Sequence, residues 1–74
     1  MRREIEGLID LAADRAVRDG PPAERVVTNI VNSLRQDRNR GTCEIAIRCY
    51  ATGRASARFI ASSCGLSDVF RGRL

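Results

Sequence analysis

The 74-residue sequence predicts an all-α fold, an N-terminal αα-hairpin followed by two or three short helices. Three observations carry that expectation. Apolar residues recur with the helical period through the first half of the chain. Glycine and proline fall where such helices would stop. Residues 55–61 are rich in alanine and serine, which suit a helix better than a strand. The competing reading is α+β, the same αα-hairpin followed by a β-hairpin at about 43–62 with strands near 43–50 and 55–62.

The first helix runs roughly from Arg2 to Asp19. Ile5, Leu8, Ile9, Ala12 and Ala16 share one face. Glu4 and Glu6 sit near its start and Arg15 and Arg18 near its end, as the helix macrodipole favours. Gly20 can take a left-handed cap, and Pro21-Pro22 forbid continuation.

The same prolines can open the second helix, where Glu24 suits the first turn. Val26, Val27, Ile30, Val31 and Leu34 form its apolar stripe, and so short a connection predicts a packed αα-hairpin. Residues 35–41, Arg-Gln-Asp-Arg-Asn-Arg-Gly, hold no apolar side chain and read as a solvated basic loop.

Residues 42–52 admit both periods. As a strand, Cys43, Ile45, Ile47 and Cys49 alternate with polar or larger neighbours and Thr52-Gly53 makes the turn. As a helix, Thr42 is the N-cap, Glu44 and Arg48 pair at i, i+4, and Gly53 follows the end. Ala57, Ile60, Ala61 and Cys64 then keep helical spacing. Gly65-Leu66 reads as a stop with its apolar contact, and Ser67 caps a last short helix to Arg71. Gly41, Gly53 and Gly65 recur every twelve residues, as glycine stops between short helices would.

A chain of this length forms one domain, residues 1–74, and buries only about 60% of its surface on folding. Small domains recruit disulfides, metals or further subunits. The three cysteines, Cys43, Cys49 and Cys64, make a poor disulfide framework. Six residues separate Cys43 from Cys49, about 9 Å along a helix or about 20 Å along a strand. Each is expected to be a free, small, buried hydrophobe. Without histidine or a C-x-x-C pair, no structural zinc and no other cofactor is expected. A homodimer is then the expected source of extra stability.

The charged start, Met1-Arg2-Arg3-Glu4, and the acids Glu6, Asp10 and Asp14 break any signal-peptide or membrane-span pattern, so no membrane is expected and the cytoplasm is the expected compartment. All 13 basic residues are arginine, and the net charge is +4. Residues 1–34 hold five arginines and six carboxylates, a net of −1; residues 35–74 hold eight and three, a net of +5. The second half is therefore the electropositive one.

Catalysis is not expected. The chain lacks histidine and lysine, the commonest general base and the Schiff-base nucleophile. Cys49 beside Arg48 is the best candidate thiol, but its apolar helix face assigns it to packing. Tyr50, Phe59 and Phe70 are the only aromatics, too few for a stacking platform on single-stranded nucleic acid.

Residues 59–67, Phe-Ile-Ala-Ser-Ser-Cys-Gly-Leu-Ser, resemble the tight turn of a helix-turn-helix over about 18 residues of the chain. By that resemblance Ala61 would let two helices approach, Gly65 would make the turn and Leu66 would fill the core. Ser67, Asp68, Arg71 and Arg73 would then face the major groove.

The expected function is a small interaction protein that regulates or inhibits a larger protein or nucleoprotein partner, as many short phage and mobile-element chains do. The candidate contacts are Arg35, Arg38, Arg40, Arg54, Arg58, Arg71 and Arg73, since arginine's planar fork suits carboxylates and phosphates. The alternative is a DNA-binding regulator that uses the helix-turn-helix-like segment and nucleic acid as its partner.

Overall fold

The computed structural model describes residues 3–65 and is all-α: α1 (Arg3–Asp19), α2 (Pro21–Arg35), α3 (Arg40–Ala51) and α4 (Ala57–Ser63). Among the described residues there is no strand, so the β-hairpin alternative over 43–50 and 55–62 does not describe this chain. The β-branched residues of α3 are few, and its buried side chains repeat every three to four residues rather than every two.

The expected apolar stripes form the core. Ile5, Ile9, Ala12 and Ala16 of α1 meet Val26, Val27, Ile30, Val31 and Leu34 of α2, with Leu8 packed partly against them. Cys43, Ala46, Ile47 and Tyr50 of α3 and Ala57, Ile60 and Ala61 of α4 complete one continuous cluster. Helix α1 packs on α2 and α3, while α4 packs on α2 and α3. No helix among the described residues is long and apolar enough to cross a membrane.

One residue joins α1 to α2. The Gly20 N–H donates to the Ala16 carbonyl at 3.0 Å, and its own carbonyl accepts from the Glu24 N–H at 3.1 Å. Gly20 thus closes one helix and opens the next. Its φ of 112° and ψ of 172° lie in a region essentially reserved for glycine, and not in the left-handed cap conformation expected from the sequence.

The α2–α3 connection is shorter than the basic loop expected from composition. Helix α2 extends through Arg35, α3 begins at Arg40, and only residues 36–39 intervene. Helix α2 ends in a Schellman turn, with the Arg38 N–H donating to the Ser33 carbonyl at 2.8 Å and the Asp37 N–H to the Leu34 carbonyl at 3.1 Å. Asp37 (φ 61°) occupies the left-handed position usually given to glycine. Asn39 (φ 48°) then caps α3. Thr42 is therefore inside the helix rather than its cap, and Gly41 lies in the first turn rather than at a stop.

Helix α3 ends as expected. Gly53 (φ 78°) follows the C-cap, the Arg54 N–H donates to the Cys49 carbonyl at 2.8 Å, and the Gly53 N–H to the Tyr50 carbonyl at 3.2 Å. Ser56 starts α4, its hydroxyl accepting from the Phe59 N–H at 3.1 Å. Gly65 (φ 73°) closes it.

Candidate interaction surface

Helix α3 holds more apolar residues than one stripe can use. Cys43, Ala46, Ile47 and Tyr50 face the core, which leaves Ile45 and Cys49 on the other side. Helix α4 divides in the same way, with Ala57, Ile60 and Ala61 inward and Phe59 outward. The two outward sets meet. Thr42, Ile45, Ala46, Cys49, Phe59 and Ser63 line a groove of about 240 Å³ between α3 and α4. Ile45 is 64% exposed and Phe59 62%, so neither contributes much to the core. Two large apolar side chains flanking one groove are the pattern of a binding surface more than of scattered exposure. The all-round apolar character of α3 is visible in the sequence; that the surplus would meet Phe59 is not.

The candidate arginines do not form one patch. Arg35, Arg38 and Arg40 gather around the α2–α3 connection, where Arg35 and Arg40 line a shallow hollow with Glu6 and Asp37. Arg54 and Arg58 lie near the opposite end of α3, a helix about 18 Å long at its 12 residues. Both are exposed. Arg71 and Arg73 lie outside the described residues, as do Leu66, Ser67 and Asp68 of the helix-turn-helix-like segment. Within the described part of that segment, Ala61 is fully buried and Gly65 has a positive φ.

The α2–α3 arginines are partly committed within the chain. Arg40 Nε lies 3.0 Å from Glu44 Oε2 and Arg40 Nη1 3.3 Å from Asp37 Oδ1. The hydrogen bond that Arg40 donates to Glu44, then the charge of the Asp37 carboxylate, raise the Arg40 pKa above its usual value. Two carboxylates therefore offset its charge towards a partner. Arg38 donates to the Gln36 side chain at 3.2 Å. Arg48, expected to pair along α3 with Glu44, reaches Glu4 of α1 at 3.6 Å.

A further arginine, Arg15, serves structure. Its Nη1 donates to the carbonyls of Tyr50 at 2.7 Å and Ala55 at 2.9 Å, and its Nε lies 3.3 Å from Asp19 Oδ2. The Tyr50 hydroxyl donates to the same Asp19 oxygen at 2.6 Å. Burial first, and then the Asp19 carboxylate, push the Tyr50 hydroxyl pKa well above the ordinary tyrosine value. This cluster ties the end of α1 to the end of α3 and the turn beyond it, which carries Arg54 and leads to Phe59.

Among the described residues no three histidine, cysteine, aspartate or glutamate side chains are grouped to hold a metal ion. No protein-family model, no curated protein and no solved structure matches this chain.

Proposed function

We propose that this chain is a non-enzymatic interaction protein that regulates or inhibits a larger protein or nucleoprotein partner. Its contact surface is the α3–α4 groove together with Arg54 and Arg58. The observation that carries this reading is the pairing of exposed Ile45 and Phe59 across that groove in a domain with little apolar area to spare. Burying such a side chain in a partner contributes roughly 1.5–3 kcal/mol.

The chemistry favours a protein segment with an apolar ridge and acidic flanks. The ridge fills the groove, and the carboxylates meet the arginine forks at its end. The absence of histidine and lysine from the sequence supports a non-catalytic role.

The test compares partner capture by the wild-type chain with capture by two double variants, Ile45→Ser/Phe59→Ser and Arg54→Ala/Arg58→Ala. Loss of the partner from the first and a drop of about tenfold or more in affinity with the second support the reading. Retention by both variants excludes the α3–α4 face. A homodimer belongs to the same proposal, and light scattering at micromolar concentration tests it; a stable monomer removes it.

A second reading, a DNA-binding regulator, draws on buried Ala61 and the positive φ of Gly65. Anisotropy of labelled duplex DNA at about 50 and 200 mM salt tests it, since phosphate neutralisation makes affinity fall steeply with salt. Flat anisotropy at micromolar protein removes it.

A further inference from the structure

A second cleft lies where α2 meets the start of α3 and the end of α4, next to the first groove. It encloses about 210 Å³, and its wall carries Thr42 and Cys43 from the start of α3 and Ser63 and Cys64 from the end of α4. The two thiols come from residues 21 apart in sequence and share one cleft because the end of α4 returns to the beginning of α3. We infer that Cys43 and Cys64 form a redox modification site, a dithiol that low-molecular-weight disulfides such as oxidised glutathione convert to an intramolecular disulfide.

The environment supports the pairing and orders the steps. Cys43 and Cys64 line the same cleft, and each is placed closely enough to influence the other's protonation. Cys43 is 3% exposed and its thiol donates to the Arg38 carbonyl at 3.8 Å, whereas Cys64, on the same cleft, is partly exposed. Cys49 lines the neighbouring groove and takes no part. Cys64 is thus the thiol that an external disulfide meets.

Its thiolate attacks one sulfur of the small disulfide and expels one small thiolate, leaving a mixed disulfide on Cys64. The Cys43 thiolate then attacks the Cys64 sulfur and expels the second small thiolate. The two protein thiols lose two protons and two electrons, and the small disulfide becomes two small thiols. Burial raises the Cys64 pKa to about 11 and raises that of Cys43 as well, so thiolate is scarce near neutrality and the exchange quickens with rising pH. The same high proton affinity makes both sulfurs poor leaving groups, so the closed bond resists reduction. Closure staples the start of α3 to the end of α4, at one end of the seam that forms the Ile45–Phe59 groove.

Trypsin separates the three cysteines cleanly. Cleavage after arginine places Cys43 in residues 41–48, Cys49 in 49–54 and Cys64 in 59–71. The folded chain is incubated with oxidised glutathione and its intact mass, thiol count and peptide map are measured. The expected product is lighter by two hydrogens, keeps one free thiol on Cys49, and yields peptide 41–48 linked to 59–71. The rate rises about tenfold per pH unit through the neutral range, as thiolate does. In Cys43→Ser a glutathione adduct accumulates on Cys64 instead. A folded wild-type chain whose three thiols persist, that carries stable adducts, or that links Cys49 overturns the inference. The same incubation in denaturant, where pairing is statistical, shows that the native linkage comes from the fold.

Discussion

The Arg15 guanidinium sits 4.2 Å from the centre of the Tyr50 ring while donating to the Tyr50 carbonyl at 2.7 Å. One side chain therefore holds both the ring and the backbone of a fully buried residue 35 positions away. The carbonyl it reaches is in the last turn of α3, where the helix dipole concentrates negative charge and a cation is favoured. Arg15→Ala removes two charge-assisted hydrogen bonds, a ring contact and the Asp19 pair at once. The expected loss is about 2–4 kcal/mol by chemical denaturation. Arg15→Lys recovers only part of it, because an ammonium cannot span two carbonyls and a carboxylate as the planar fork does.

Tyr50 is the sole tyrosine, and there is no tryptophan, so its ionisation can be read from the absorbance of the chain alone. Burial and Asp19 raise its folded pKa above the unfolded value of about 10. The stability linked to this group is full below that value. It declines as pH rises further, because the unfolded chain releases a proton that the folded chain keeps. Tyrosinate absorbance should therefore appear together with unfolding, not ahead of it. Tyr50→Phe abolishes this alkaline step and costs about 1–2 kcal/mol at neutral pH through the lost bond to Asp19.

Burial also raises Cys43 and Cys64, the latter to about 11, so an earlier alkaline decline belongs to the thiols. It begins near the unfolded thiol pKa of about 8.5 and ends as pH passes the folded values. Replacing both with alanine removes this step and leaves the tyrosine step in place. Denaturation midpoints measured from about pH 8 to 11 separate the two.

Glycines at different backbone positions should respond with opposite signs. Gly7 lies exposed within α1 with nothing within 4 Å of the place a methyl group would take, and Gly7→Ala should stabilise by about 0.5–1 kcal/mol. Gly53 also has open space around it, but its φ is +78°. Gly53→Ala should cost about 1–2 kcal/mol from the backbone alone. Asp37 at φ 61° is the reverse case: Asp37→Gly should gain up to about 1 kcal/mol. The exposed Asp37–Arg40 pair that it forfeits is worth less. Thermal melts of the three variants check all the signs.

Ile45→Ser and Phe59→Ser should leave folding stability within about 0.5 kcal/mol, since both side chains are mostly in solvent. Ile47→Ala, on the opposite face of the same helix and fully buried, should cost about 2–5 kcal/mol. Denaturation curves of the three variants distinguish a contact face from a core face on α3.

Helices α1 and α2 are legible in the sequence because each stripe repeats over four turns and Gly20-Pro21-Pro22 marks the break. The end of α3 is legible for the same local reason, in Gly53. Its beginning is not. Arg40 and Gly41 carry no apolar signal, and Asn39 caps in a left-handed conformation with no side-chain hydrogen bond, so Thr42 reads as the better start. The arginine-rich surface is only partly legible. Composition counts charges, but whether Arg40 is offset by Asp37 and Glu44, or Arg15 is spent on Tyr50, depends on helix ends that sequence distance keeps apart. That Cys43 and Cys64 share one cleft is hidden for the same reason.

Gly20 also bears on how fast the chain folds. With a single residue between α1 and α2, the packing of the two longest helices asks for almost no loop closure. The search for that interface is short-range, and such topologies reach their native state in microseconds to milliseconds. The later step is the arrival of α3, whose docking waits on Arg15 finding a carbonyl 35 residues downstream. A chain built this way spends little time with its apolar stripes exposed, which protects a domain of so few residues from sticking to its neighbours before it is complete.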